Sequence, residues 1–347
     1  MLEEREITIY DIAKYLNISA ATVSRGLKNN PMISKATRKK IMDAAQVLGY
    51  QSNAFASNLR SRQTHTLGVI VPRLNSYFMS SALAGMENAA NRYGYNLIIA
   101  QSLEDAEKEK RNAATMFNKR VDGLLISLSS NTQNINHLEP FFKRKIPVIF
   151  FDRVYPHNES TSVGINNFEA AYQVTKHLID QGCKRILHLG GNVLRNVYQE
   201  RLNGYRKALQ DHHLSFSDKL HLTGPLSEQA GTDAARHILE LAPNKRPDAV
   251  FSANDTAAVY CMLALQAAGL RIPEDIAFAG FNNDPISKVI APNLTTVEYH
   301  GDSIGHTAAT YLINHLKGIS DLYATNAITL RADLVIRASS LKNKNPE

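Results

Sequence analysis

Apolar residues recur along the chain with two different periods. Near the N-terminus, Ile9, Ile12, Ala13 and Leu16 are three or four residues apart, which is the spacing of a short amphipathic helix. From about residue 66 onward, apolar positions form short continuous runs that alternate with helical stretches. The pattern predicts a small all-α head followed by a larger α/β core.

Capping residues divide the head into short helices. Thr8 can cap the first helix, Ser19 a second helix over about 20–27, and Ser34 a third that ends before Gly49. Only Asn17 and Ile18 separate the first two helices. So short a turn between short helices predicts a helix-turn-helix.

The core reads as repeated strand–helix units, which form parallel sheets covered on both faces. The pattern restarts near residue 166, so we expect two doubly wound parallel-sheet lobes. The strand-like runs are 66–72, 95–100, 121–127, 147–151, 185–189, 248–252 and 276–281.

The apolar runs and the cysteine content argue against a membrane protein and against a disulfide-rich secreted protein. The longest apolar run, 257–265, is far shorter than the roughly 20 residues that span a bilayer, so we expect no membrane association. The first residues, MLEEREITIYD, show no signal-peptide pattern, and Cys183 and Cys261 cannot form a disulfide framework. We therefore expect a cytoplasmic protein.

Basic charge is concentrated in the head. Residues 1–65 hold ten Lys and Arg against five Asp and Glu, whereas the other 282 residues hold 29 against 27. A basic head on a near-neutral core favours a polyanionic partner, and the alternative is a solvated basic helix.

On the second helix, Arg25 can bind the O6 and N7 atoms of a guanine, while Ser and Thr hydroxyls suit phosphate oxygens. The competing interpretation is a small helical domain whose hydroxyls only cap helices.

The segments ITIYDIAKYLNISAATVSRGL and ISKATRKKIMDAAQVLGYQSN closely resemble the DNA-binding head of the lactose/galactose-repressor family of bacterial transcription regulators. The resemblance implies a hinge that becomes helical on operator DNA, with Leu59 of two subunits wedged into the minor groove and Ala56 close by. The expected DNA-binding residues are Thr8, Ile9, Tyr10, Ser19, Ala20, Ala21, Thr22, Ser24, Arg25, Lys28, Ser34, Thr37, Tyr50, Asn53, Ala56 and Leu59.

Two residues of the head depart from the family pattern. Gly26 lies inside the second helix, where it should cost up to about 1 kcal/mol relative to Ala. Lys28 stands where the family usually has Asn and adds a charge directed at phosphate. Because of these two departures, the operator sequence does not carry over from other members of the family.

Polar residues follow several strands of the core, and ligands of open parallel sheets bind beyond the carboxyl ends of the strands. A single Asp there is usually a helix cap. Four polar clusters, at 152–153, 190–192, 254–255 and 282–284, together predict a cleft for a hydroxyl-rich molecule. The core also resembles the family's effector-binding domain, which is similar to periplasmic sugar-binding proteins. The resemblance implies the effector-binding residues Tyr77, Phe78, Ser127, Asp152, Arg195, Arg201, Leu226, Asn254 and Asn282.

Two of these positions bear on the effector. Many family members have Asp at the position of Asn282, and an aromatic ring often stacks at the position of Leu226. An amide donates and accepts hydrogen bonds without carrying charge, so the effector's identity does not carry over.

Other functions lack their signatures. The sequence contains no phosphate-binding loop, no H-E-x-x-H, no G-x-S-x-G and no motif for a metal or cofactor, which argues against an enzyme. A solute-binding protein for transport would need an export signal and no helix-turn-helix head.

We therefore expect a homodimeric transcription regulator, a repressor, in which a small polar effector, a sugar or sugar derivative, changes the angle between the lobes. A nucleobase or a protein corepressor is the alternative. The expected segments are a DNA-binding domain (1–52), a hinge helix and linker (53–64) and an effector-binding and dimerisation core (65–340).

Overall fold

A computed structural model of the chain describes residues 7–50 and 63–342. The chain divides into two compact units, 1–64 and 65–347. The expected hinge contacts Asn53, Ala56 and Leu59 lie outside the described residues. Within the described ranges, no helix is both long and apolar enough to cross a membrane.

The described part of the head contains three helices, α1 (Ile9–Leu16), α2 (Ala20–Leu27) and α3 (Lys35–Val47). The side chain of Ser19 caps α2 and that of Ser34 caps α3, each by accepting a hydrogen bond from a backbone N–H three residues later. Each helix contributes one fully buried residue, Ile12, Val23 or Ile41, to the centre of the head's own hydrophobic core. The head is therefore the helical domain that the sequence predicts.

Gly26 is explained by packing between α2 and α3. A Cβ atom at this position would lie 2.4 Å from Cδ1 of Ile41, closer than two carbon atoms can approach. The glycine lowers the intrinsic helix propensity of α2, but it allows α3 to pack closely against that helix.

The core consists of two lobes. The first lobe contains β1 (Thr66–Val71), α4 (Tyr77–Arg92), β2 (Asn96–Gln101), α5 (Ala106–Asn118), β3 (Gly123–Ile126), α6 (Glu139–Lys143), β4 (Val148–Phe151), β5 (Ser160–Ile165), α12 (Gly301–Leu316) and β11 (Ala327–Leu330). The second contains α7 (Asn167–Asp180), β6 (Ile186–Gly190), α8 (Asn196–Asp211), β7 (His221–Thr223), α9 (Glu228–Glu240), β8 (Ala249–Ser252), α10 (Asp255–Ala267), β9 (Ala277–Ala279) and α11 (Ile286–Val289). Two further strands, β10 (Thr296–Val297) and β12 (Leu334–Val335), form an antiparallel pair.

Each lobe is built on a parallel sheet. The strand order is β11-β5-β4-β3-β1-β2 in the first lobe and β7-β6-β8-β9 in the second. Neighbouring strands are parallel throughout both sheets. Every residue of β3, β4 and β8 is buried, as expected for sheets covered on both faces. The predicted α/β core with two doubly wound lobes is confirmed.

The chain passes between the lobes more than once. The restart near residue 166 marks the first passage, from β5 to α7. After β9 the chain returns to the first lobe, where α12 packs against α4 and β11 pairs with β5. The lobes are therefore joined by several segments, so a change in the angle between them must bend all of these connections together.

Two glycines allow α4 and α12 to approach closely. A Cβ atom on Gly305 would lie 1.9 Å from the carbonyl oxygen of Ala82, and one on Gly85 would lie 2.0 Å from that of Asp302. Both contacts involve backbone atoms, which cannot move aside as the end of a flexible side chain can.

We predict that Gly305→Ala destabilises the core by about 1–3 kcal/mol, because overpacking forces the two helices apart. The measurement is the melting temperature of the purified chain. Gly164→Ala is the matched control, since a Cβ atom at that strand position meets nothing within 4 Å. Equal melting temperatures for both variants and the wild type would contradict the close packing.

Candidate functional site

The outer face of α2 carries the residues expected to read DNA bases. Ala21 and Arg25, one helical turn apart, are exposed, and so is Lys28 just beyond the helix. Tyr10 at the start of α1 is 70% exposed, which is unusual for so large an aromatic side chain. Small residues beside an exposed guanidinium allow the backbone to approach a groove while the arginine reaches a base edge.

Other expected DNA contacts have structural partners within the head. The hydroxyls of Ser19 and Thr22 lie 2.8 Å apart, as do those of Ser34 and Thr37, in both cases at a helix N-terminus. These groups cap helices, and a hydroxyl can still accept or donate one further hydrogen bond. The hydroxyl of Thr8 donates to the Asp11 carboxylate, and Ser24 is partly buried, while Ile9, Ala20 and Tyr50 pack against the core of the head.

A cavity of about 580 Å³ lies between the two lobes of the core. Its volume is within the range of small-molecule sites, which is roughly 300–1,000 Å³. It lies beyond the carboxyl ends of β1, β4, β8 and β9, where ligands of parallel sheets bind. Seven of the nine expected effector residues line it, namely Tyr77, Phe78, Asp152, Arg201, Leu226, Asn254 and Asn282.

Arg201 is the most deeply embedded cation of the cavity wall. Its Nε donates to Oδ1 of Asn167 at 2.9 Å, and its Nη1 donates to the carbonyl of Ala253 at 2.7 Å. The guanidinium carbon lies 3.6 Å from the centroid of the Phe281 ring, which is a cation–π contact. Burial lowers the pKa of Arg201 from its usual value, although arginine still stays charged. The result is a fixed positive group that can bind an oxygen-rich ligand.

Asp152 lines the cavity from the first lobe. Its carboxylate accepts hydrogen bonds from the Tyr299 hydroxyl at 3.0 Å and from the Ser127 hydroxyl at 3.4 Å. Burial raises the pKa of Asp152, while Arg153 and Arg201 oppose that rise. Ser127 thus orients Asp152 and does not itself line the cavity in the part of the chain that the structure describes.

The second lobe contributes amide side chains to the cavity wall, and two of its residues there have unusual backbone conformations. Asn254 donates to the carbonyl of Leu226 at 2.8 Å and caps α10 through Ala257, so much of its hydrogen-bonding capacity is already used. Leu226 and Asn282 have positive φ angles of 45° and 111°, which are uncommon for residues other than glycine. Such strain is often found at ligand-binding sites.

Aromatic rings line the side of the cavity that the first lobe provides. Phe78 packs against Tyr299 with a centroid distance of 4.2 Å, and Tyr77 is more than half exposed. Sequence reasoning did not select Tyr299, because it belongs to a connecting segment between the lobes, with no strand-end pattern to mark it.

A partly buried ion pair was also missed. Nη1 of Arg153 lies 2.7 Å from Oε2 of Glu104, and Nη2 of the same arginine donates to the Tyr198 hydroxyl at 3.0 Å. Burial works to raise the pKa of Glu104, but the Arg153 guanidinium holds it below its usual value. The sequence did place Arg153 in a polar cluster after a strand, whereas nothing in the pattern linked it to Glu104 or Tyr198.

Arg195 joins the lobes instead of lining the cavity in the described residues. It is buried at the start of α8 and donates to the carbonyl of Thr132 in the first lobe. Asn192 likewise donates to the carbonyl of Ser130, and the Asn196 side chain accepts from the backbone N–H of Val154. The beginning of α8 therefore bonds to the first lobe, while Arg201 on the same helix faces the cavity.

Comparison with protein families matches nearly the whole chain. Residues 8–53 match the model described as bacterial regulatory proteins, lacI family. Residues 64–338 match the model described as periplasmic binding proteins and sugar binding domain of LacI family.

Sequence comparison with individual proteins leads to the same family. The chain is 32% identical to catabolite control protein A of Priestia megaterium over 89% of this chain and 92% of that protein. It is 31% identical to the HTH-type transcriptional repressor PurR of Aliivibrio fischeri strain MJ11 over 96% of this chain and 98% of that protein.

The fold also matches a solved structure, the lac repressor dimer bound to operator and the anti-inducer ONPF. That match has a TM-score of 0.86 at 24% identity and covers 97% of this chain and all of the other. The matching family is one of transcription regulators, not of enzymes. The chain belongs to the lacI family of bacterial regulatory proteins and is a DNA-binding transcription regulator.

Proposed function

We propose that this regulator is a repressor whose DNA binding is switched by a small polar molecule, a sugar or sugar derivative, bound between the lobes of the core. The observation that carries the proposal is the cavity itself, which Asp152 lines from one lobe and Arg201 from the other. A ligand that bonds to both groups favours one angle between the lobes and so shifts the protein between two states.

The DNA contacts follow from the exposed face of α2. Two heads in a homodimer read the two halves of a near-palindromic operator, with Arg25 binding a guanine in each half. The hydroxyls of Ser19, Thr22, Ser24, Ser34 and Thr37 and the charge of Lys28 position the head on phosphates. In this proposal Leu59 of each subunit wedges into the minor groove, supported by Ala56, and the bend that results is part of specific binding.

The three segments 1–52, 53–64 and 65–340 then have distinct roles as DNA reader, hinge and effector-binding dimerisation core. The family description of the core as a sugar binding domain supports a carbohydrate effector. A regulator that binds bacterial operator DNA works where that DNA is, and we place this protein in the cytoplasm on that ground.

We predict that Arg25→Ala lowers affinity for the operator by roughly 1–3 kcal/mol, with the loss confined to sites that carry one particular base pair. The measurement is binding to a site selected from a random DNA pool and to a set of its single-base variants. Arg25→Lys is the matched variant, since it keeps the charge but removes the planar fork that binds guanine. An equal loss on every DNA sequence would show that Arg25 contacts only phosphate.

For the effector site, Arg201→Gln should weaken binding of any compound that raises the melting temperature of the wild type. The expected loss is about 1.5–3 kcal/mol, or about 10- to 100-fold, because a charged hydrogen bond is removed. DNA affinity without the compound should change little, and Lys207→Gln, at an exposed position on the same helix, should behave as the wild type. A variant that responds at the same concentration as the wild type would contradict the assigned role of Arg201.

A further inference from the structure

One carboxyl group in the cavity wall has an oxygen atom without a hydrogen-bond partner among the described residues. Asp284 follows Asn282 and Asn283 in the loop after β9 and lines the cavity. Its Oδ1 atom is shielded from solvent and accepts no hydrogen bond from the part of the chain that the structure describes. The side chain as a whole is only partly buried, so the carboxylate lies in the cavity wall with acceptor capacity that the described residues do not fully use.

The backbone holds Asp284 in place from both sides. Its N–H donates to Oδ2 of Asp255 at 2.7 Å, and its carbonyl accepts from the hydroxyl and the N–H of Ser287 at 2.7 and 2.9 Å. The two residues before it, Asn282 and Asn283, have positive φ angles of 111° and 56°. A loop fixed in so unfavourable a conformation is expected where it positions a functional group.

The neighbouring acid, Asp255, differs from Asp284 in how it is bonded. It is fully buried, and its second oxygen accepts from the hydroxyl of Thr296 at 2.6 Å, so both of its oxygens have donors. Burial, followed by the charge of Asp284, raises the pKa of Asp255 well above its usual value. Burial also raises the pKa of Asp284 to about 6, although the side chain of Asn282 works against the rise. Asp255 is a structural acid with a donor on each oxygen, whereas Oδ1 of Asp284 has no donor among the described residues.

We propose that Asp284 is a ligand-binding carboxylate of the cavity and supplies the acidic acceptor that Asn282 does not. It selects molecules that present a hydroxyl or amine donor to the second lobe, while Arg201 and Asp152 bind the other part of the molecule. An acceptor that a bound ligand covers discriminates against compounds without the donor, because they leave it unpaired. The inference rests on the proposed function, since it requires a small molecule in this cavity.

The test compares the full-length wild type with Asp284→Asn and with Asp233→Asn. Asp233 is the control, an exposed acid on α9 that pairs with Arg236 and does not line the cavity. The probes are D-glucose, D-galactose, D-ribose, D-gluconate, D-glucosamine, adenine and guanine, each screened by thermal shift at millimolar concentration. The dissociation constant of every probe that stabilises the wild type is then measured by calorimetry for all three proteins.

We expect Asp284→Asn to weaken binding about 10- to 100-fold, which corresponds to the loss of a hydrogen bond to a charged group. Asp233→Asn should bind as the wild type does. Without any probe, Asp284→Asn should melt no lower than the wild type, because the substitution removes a partly buried charge whose Oδ1 has no donor among the described residues. A purely structural Asp284 would instead give a lower melting temperature.

The remaining outcomes overturn the inference in different ways. Equal dissociation constants for the wild type and Asp284→Asn would refute the role of Asp284 and leave the proposed function standing. A lower melting temperature of Asp284→Asn without any probe would make Asp284 structural. Failure of every probe to stabilise the wild type would count against the effector switch, and the inference would be lost with it.

Discussion

The geometry of the cavity depends on the contacts that the buried guanidinium of Arg201 makes within the second lobe. The guanidinium bonds to Asn167 at the start of α7 and to Ala253 after β8, and it lies against Phe281 after β9. A buried charge has to keep its hydrogen bonds, because an unpaired one is costly in a low-dielectric environment. These segments are therefore fixed relative to α8, and the wall of the second lobe is formed before any ligand arrives.

The N-terminal end of α8, with the residues just before it, also connects the two lobes. Asn192, Arg195 and Asn196 bond to loops of the first lobe close to the ion pair of Arg153 and Glu104. A ligand that changes the position of α8 must therefore change the contacts between the lobes as well. Because α12 and β11 return to the first lobe, every such movement is shared by several crossing segments.

The sequence predicts the fold more completely than it predicts the site. Long apolar runs and capped helices give the two-lobed core and the head, because periodic burial leaves a clear pattern. The short strand β11 pairs with β5, more than 150 residues earlier in the chain, and no local pattern indicates that pairing. Tyr299 and Glu104 escaped notice for a similar reason, since both reach the cavity from connecting segments. Asp284 lay in a noticed polar cluster, but only its missing donor distinguishes it from its neighbours.

The central claim is that binding of a small molecule in the cavity and binding of the protein to DNA are coupled. Its most direct measurement is the affinity for a selected DNA site with and without a cavity-binding compound, together with the affinity for that compound with and without the DNA. The account predicts that both affinities change by the same factor, about 5- to 150-fold, because linkage between two binding sites is reciprocal. A compound that fills the cavity and leaves DNA affinity unchanged would contradict it.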